Sequence, residues 1–65
     1  MTTYAIPDMS CSHCKATVLK TITAIDPTAT LNFDMPARTV AVHSAASTDD
    51  TLNALTAAGY PATVL

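Results

Sequence analysis

The spacing of hydrophobic residues predicts a strand followed by a helix in the first part of the chain. Residues 3–6 alternate between apolar and polar side chains, as a short strand does, and Pro7 ends that strand. A helical spacing then places four side chains on one narrow stripe: Cys14, Val18, Ile22 and Ile25. Ser10 or Ser12 is the expected N-cap of this helix, and the Asp26-Pro27 pair is its expected end.

The same reasoning predicts four more elements in the rest of the chain. Residues 30–34 and 39–43 each alternate between apolar and polar positions, so they form two half-buried strands joined by a short turn. Capping and acidic residues at 47–50 begin a second helix, which ends at Gly59, the single glycine of the sequence. Residues 62–65 then form a last strand.

The order of these elements predicts the fold class. Two strand-helix-strand units follow one another, and right-handed crossovers interleave them into one antiparallel sheet. We therefore expect a single α+β domain over residues 1–65 with the ferredoxin-like βαββαβ arrangement, in which four strands carry both helices on one face.

Composition limits the partners of this domain. The chain of 65 residues is 49% hydrophobic and 12% charged, which is typical of a small folded domain, and its net charge is −2. Nucleic-acid binding is not expected, because it needs a basic surface that displaces counterions from phosphates. No apolar stretch is long enough to cross a membrane, and the N-terminus lacks the features of an export signal. The expected compartment is the cytoplasm, where thiols stay reduced.

The segment Met9-Ser10-Cys11-Ser12-His13-Cys14 carries the candidate chemistry. Two thiols separated by two residues can converge on one ion, and the first turn of a helix favours the thiolate of Cys14. Structural zinc prefers four ligands, whereas a pair of soft sulfur ligands suits Cu(I), Hg(II) or Ag(I). A site with only two protein ligands also stays open to an incoming thiolate, as metal transfer requires. The sequence offers no nucleophile–base pair or carboxylate cluster beside the cysteines, so an enzyme is not expected.

An MxCxxC motif that follows a strand and opens a helix resembles the heavy-metal-associated domain family, and within it the free-standing bacterial copper chaperones. The resemblance covers essentially the whole chain. It includes Tyr4 and Ile6 before the motif, the apolar positions 18, 22 and 25 after it, and the late Gly59-Tyr60 pair. One departure from the family is Asp8, which stands where a glycine usually precedes the motif methionine.

The resemblance implies roles for individual residues. Cys11 and Cys14 are the metal ligands, Met9 packs beneath the loop without binding the ion, and Tyr60 lies beside the site. Tyr60 then either acts on the metal ligands without binding the ion itself, or covers the edge of the core. His13 also has two readings, as a solvated neighbour of the ion or as an additional ligand in a metal-bridged dimer or a species with a second copper.

The function implied by the resemblance is a cytoplasmic copper chaperone. It would bind Cu(I) through the CxxC pair and transfer it by thiolate exchange to the metal-binding domain of a P-type copper-transporting ATPase. Docking would be transient, and the chaperone would be a monomer that can form a copper-bridged dimer. The alternatives are a carrier of another soft metal (mercury, silver or zinc) and a detached metal-sensing domain of a transporter.

Overall fold

The computed structural model describes residues 2–65, and its elements follow the predicted order. They are β1 (Thr2–Ala5), α1 (Ser12–Ile25), β2 (Thr30–Asp34), β3 (Thr39–His43), α2 (Thr48–Ala57) and β4 (Thr63–Val64).

The four strands form one antiparallel sheet in the order β2-β3-β1-β4. Tyr4 pairs with Val40, and both side chains are buried on the face that the helices cover. Thr3 and Ala41 pair on the other face, where both are only partly buried. This is the expected ferredoxin-like fold, with both helices on one side of the sheet, and the prediction is confirmed.

The core lies between the helices and the sheet. Its fully buried members come from the strands, both helices and the loop after β1: Ile6, Met9, Val18, Ile22, Val40 and Leu55. The predicted stripe of α1 is therefore correct at its centre and wrong at its end. Ile25, the last residue of the helix, is 40% exposed.

Two strand boundaries differ from the prediction. β1 covers Thr2–Ala5, and Ile6 lies just beyond it with its amide bonded to the Arg38 carbonyl oxygen at 2.8 Å. β4 is two residues long instead of the predicted 62–65: Val64 and Thr63 pair with Tyr4 and Ala5, and the Leu65 amide adds one bond to the Thr3 carbonyl oxygen at 2.9 Å. The length of such a short edge strand is set by its pairing with the neighbouring strand, which the alternation of apolar and polar residues does not reveal.

The C-terminal end of α1 is fastened by a buried carboxylate. Asp26 is 8% exposed and accepts hydrogen bonds from the Thr28 amide (3.0 Å), the Thr28 hydroxyl (2.7 Å) and the Ala45 amide (2.7 Å). These bonds, first that of the Thr28 hydroxyl and then that of the Ala45 amide, hold the pKa of Asp26 below its ordinary value. The residue predicted only to end the helix therefore also ties it to the segment after β3.

The longer helix has 14 residues. Within residues 2–65, neither helix has the length and apolarity that crossing a membrane demands.

Candidate metal centre

The loop between β1 and α1 carries the motif and is anchored at its middle by a methionine. The Met9 amide donates to the Ile6 carbonyl oxygen at 3.0 Å and closes a turn in which Pro7 and Asp8 are the central residues. The Met9 side chain is fully buried in the core. The loop thus folds over an apolar anchor, which leaves the residues after Met9 at the surface.

Asp8 occupies the third position of this turn. Among residues 2–65, Arg38 is the one non-glycine residue with a positive φ, so the backbone at Asp8 is not left-handed. A type II turn needs a positive φ at its third position and favours glycine there, whereas a type I turn accepts most residues. The turn therefore accommodates Asp8 without the glycine that the family usually has.

Cys11 is the N-cap of α1, a position that we predicted for Ser10 or Ser12. Its backbone is extended, with φ −142° and ψ 168°, and its Sγ accepts a hydrogen bond from the Cys14 amide at 3.4 Å. Its carbonyl oxygen accepts from the Lys15 amide at 3.1 Å. A sulfur atom thus takes the place of the usual hydroxyl or carboxylate oxygen at the helix start.

The two thiols converge at this helix start. The Sγ atoms of Cys11 and Cys14 are 3.1 Å apart, and both cysteines are free. Cys11 is exposed, while Cys14 is half-buried against the core. The structure therefore brings the two sequence-predicted ligands together at the surface, where a partner molecule can reach them.

The surroundings of Cys14 favour its ionised form. Its pKa falls from the ordinary 9.0 to about 7, and the largest cause is the Tyr60 hydroxyl, followed by the Cys11 thiol and the backbone at Ser10. Conversely, the nearby sulfur raises the pKa of Tyr60. The thiolate of Cys14 is therefore accessible near neutral pH.

Gly59 brings Tyr60 to this position. α2 ends in a Schellman motif, in which the Tyr60 amide donates to the Leu55 carbonyl oxygen at 2.8 Å and the Gly59 amide to that of Thr56 at 3.1 Å. Gly59 has φ 89°, a left-handed conformation that glycine adopts without steric cost. The single glycine of the chain therefore turns the backbone back toward α1.

His13 lies in the first turn of α1 and is exposed. Within the described part of the chain, no group of three or more histidine, cysteine or acidic side chains is close enough to hold one ion. In this conformation, then, His13 does not join the two cysteines in a three-ligand site.

Two contacts at this end of the molecule were missed by the sequence reasoning. The Arg38 guanidinium donates to the Pro7 carbonyl oxygen at 2.9 Å, and the Lys15 Nζ lies 5.2 Å from the centre of the Phe33 ring. Each contact joins residues far apart in sequence, so no local pattern could have revealed it. Together they tie both sides of the motif to the β2–β3 hairpin.

The heavy-metal-associated domain model matches residues 3–61. The chain belongs to the heavy-metal-associated domain family. No curated protein sequence matches the chain. Membership in the family, together with a surface pair of free cysteines, makes heavy-metal binding and trafficking the function class of this domain.

Solved structures of several metal-handling proteins are similar to this heavy-metal-associated domain. A gold-binding protein is 35% identical over 100% of both chains, with a TM-score of 0.95. Copper chaperone Atx1 from Synechocystis PCC6803 is 26% identical over 94% of this chain and 97% of its own, with a TM-score of 0.90. Oxidized MerP from Ralstonia metallidurans CH34 is 29% identical over 97% of this chain and 92% of its own, with a TM-score of 0.86.

Proposed function

We propose that the protein is a cytoplasmic copper chaperone, which binds one Cu(I) between Cys11 and Cys14 and passes it to the metal-binding domain of a P-type copper-transporting ATPase. The observation that carries this proposal is the pair of free sulfur atoms 3.1 Å apart at the surface, which no histidine, further cysteine or acidic side chain among residues 2–65 joins in a three-ligand group. Two soft ligands satisfy Cu(I) but leave the tetrahedral shell of zinc half empty. The similarity to a copper chaperone supports the choice of metal.

Transfer is a ligand exchange that leaves the oxidation state of copper unchanged. A thiolate of the partner adds to the bound ion and forms a three-coordinate intermediate. The bond to one original sulfur then breaks, and a second exchange completes the transfer. Cys11 is the exposed member of the pair, so it is the sulfur that an incoming partner meets first. The low pKa of Cys14 keeps its sulfur available as a ligand near neutral pH.

The choice of metal is tested by titrating the metal-free protein under anaerobic, reducing conditions. Cu(I) and Zn(II) are each added in competition with a chromophoric chelator, and stoichiometry and affinity are read together. We expect one tightly bound Cu(I) per chain and much weaker zinc binding. Zinc binding of comparable strength by a monomer, without any added ligand, would reverse the assignment.

A second candidate function is the transport of another soft metal, such as mercury or gold. It is favoured by the similarity to a gold-binding protein and to MerP at higher identity than to Atx1. The same pair of sulfur atoms suits these ions. Competition between Cu(I) and Hg(II), followed by transfer of each ion to a copper-ATPase domain with its own CxxC pair, separates the two functions, because the second candidate predicts no transfer of copper.

For His13 we propose the role of a solvated neighbour in the one-copper monomer and of a ligand when more copper is bound. Its exposed position, outside any three-ligand group, supports the first role, and its place beside the cysteines makes it the nearest spare donor for the second. We expect His13→Ala to leave the first equivalent of Cu(I) unaffected and to weaken copper-driven dimerisation at two equivalents. Sedimentation of both proteins measures this, and identical association would exclude the ligand role.

A further inference from the structure

Arg38 connects the β2–β3 hairpin to the start of the metal loop through both its backbone and its side chain. Its amide donates to the Met35 carbonyl oxygen at 3.1 Å, which closes the hairpin turn. Its carbonyl oxygen accepts from the Ile6 amide at 2.8 Å, and its guanidinium Nη1 donates to the Pro7 carbonyl oxygen at 2.9 Å. Two of these three bonds therefore reach the segment that leads into the motif.

The backbone conformation of Arg38 is unfavourable in free energy for a residue with a side chain. Its φ of 55° lies in the left-handed region, where a side chain crowds the following carbonyl group and where glycine or asparagine is usual. A glycine here would make the same two backbone hydrogen bonds without that cost. What arginine adds is the bond from the guanidinium to Pro7.

That bond acts on the peptide group that defines the turn. Pro7 and Asp8 are the central residues of the turn closed by Ile6 and Met9, so the Pro7 carbonyl belongs to its central peptide. Types I and II differ by a rotation of this peptide. With its carbonyl oxygen held from outside, the peptide cannot rotate without breaking the bond, and the turn it belongs to ends at Met9, two residues before Cys11.

We propose that Arg38 is a positioning residue for metal binding: its guanidinium holds the central peptide of the Ile6–Met9 turn and thereby keeps the Cys11 sulfur in register with that of Cys14. The expected effect on Cu(I) affinity rests on the proposed function, whereas the restraint on the turn exists in the metal-free protein. Arg38 touches neither sulfur and acts only through the loop.

The test compares Arg38→Gly with the parent. The substitution removes the guanidinium bond and relieves the left-handed backbone, so we expect an unchanged or higher thermal midpoint. Cu(I) affinity, measured by chelator competition, should nevertheless fall about tenfold, at the low end of the losses seen for partners that orient metal ligands. A loop that merely needed Arg38 for stability would lose affinity and thermal stability together, and that result would overturn the proposal.

Two further variants complete the experiment. Arg38→Lys retains a charged donor on a long side chain, so it should bind Cu(I) more tightly than Arg38→Gly, and it also keeps the test decisive if Arg38→Gly fails to fold. Lys20→Ala removes one positive charge from the exposed side of α1 and should leave affinity at the parent value. An equal loss in Lys20→Ala would assign the effect to net charge and overturn the proposal.

A measurement on the metal-free protein separates this inference from the proposed function. In Arg38→Gly, the Met9 amide should exchange with solvent about fivefold faster than in the parent, the factor that corresponds to the loss of one hydrogen bond. If the parent binds no Cu(I), the proposed function fails while faster exchange still supports the restraint. Unchanged exchange of Met9 would show that the turn does not depend on Arg38.

Discussion

At the C-terminal end of α1, the Asp26 carboxylate accepts three hydrogen bonds and is nearly inaccessible to solvent. At the N-terminal end of the same helix, the Cys11 and Cys14 sulfur atoms face each other, with the Cys14 amide and the Tyr60 hydroxyl as neighbours, and Cys11 is exposed. A satisfied buried group stabilises one structure, whereas a polar group with spare bonding capacity at the surface can accept a ligand. The two ends of one helix thus separate stability from binding.

The strongest test of this division is to change one sulfur at the binding end. Cys14→Ser should lower Cu(I) affinity by orders of magnitude, because a hydroxyl is a poor ligand for a soft ion. Cys11→Ser should do the same while the fold stays intact, since serine is a good N-cap residue. Chelator competition and thermal unfolding measure the two properties, and a single variant that binds Cu(I) like the parent would show that the site is assigned wrongly.

Asp26→Asn tests the stabilising end. The amide nitrogen of asparagine cannot accept a hydrogen bond. Because the two Thr28 donors bind one carboxylate oxygen and the Ala45 amide binds the other, the donors on one side lose their acceptor. We expect a lower thermal midpoint and unchanged Cu(I) affinity. A loss of affinity in a protein that is still folded would contradict the division between the two ends.

The same variant makes a prediction about pH. The folded pKa of Asp26 lies below its ordinary 3.8, so the ionised carboxylate stabilises the fold at pH values above 3.8. That contribution is lost as the pH falls through the lower, folded pKa. The stability advantage of the parent over Asp26→Asn should therefore be largest near neutral pH and shrink in acid.

Gly59→Ala tests how the second helix delivers Tyr60 to the binding end. An added Cβ would meet no atom within 4 Å, so its cost arises from the backbone at φ 89° alone. We expect a loss of about 1 kcal/mol in the free energy of unfolding, as is usual for a left-handed non-glycine residue. Gly59→Asn should lose less, because asparagine adopts this conformation more readily. Equal stability of all three proteins, measured by denaturant unfolding, would show that the turn is not under this constraint.

Tyr60→Phe should have the smallest effect, on the ionisation of Cys14 alone. Because the Tyr60 hydroxyl is the largest cause of the lowered pKa, its removal should move the Cys14 pKa upward from about 7 toward 9.0. Alkylation of Cys14 by iodoacetamide, followed by mass spectrometry across pH, reports this shift. The reaction should become slower at neutral pH and recover at higher pH. An unchanged profile would leave Tyr60 as a cap on the core edge.

Much of the fold follows from local sequence patterns. The alternation in residues 30–34 and 39–43 predicts β2 and β3 with their observed bounds, because each strand buries one face. Gly59 marks the end of α2 because a helix end often needs a left-handed residue. The CxxC spacing likewise predicts that the two sulfurs meet, since both lie within one turn at the start of a helix.

The contacts that secure the two ends could not be predicted in this way. Asp26 reaches the Ala45 amide across 19 residues, and Arg38 reaches Pro7 across 31. Both depend on how the crossovers bring loops together, and any residue of similar polarity nearby would have been an equal candidate. Cys11 as N-cap was also missed, because Ser10 and Ser12 on either side are the more usual capping residues.

As the N-cap of α1, the Cys11 sulfur of the proposed carrier has a hydrogen-bond donor within its own chain. When copper leaves Cys11, its sulfur can accept a hydrogen bond from the Cys14 amide, which lies 3.4 Å away. Release of the ion on this mechanism therefore requires no rearrangement of the helix start, because the Cys11 sulfur already caps the helix in this structure. After each transfer, the metal-free protein would then already have the conformation that binds the next ion.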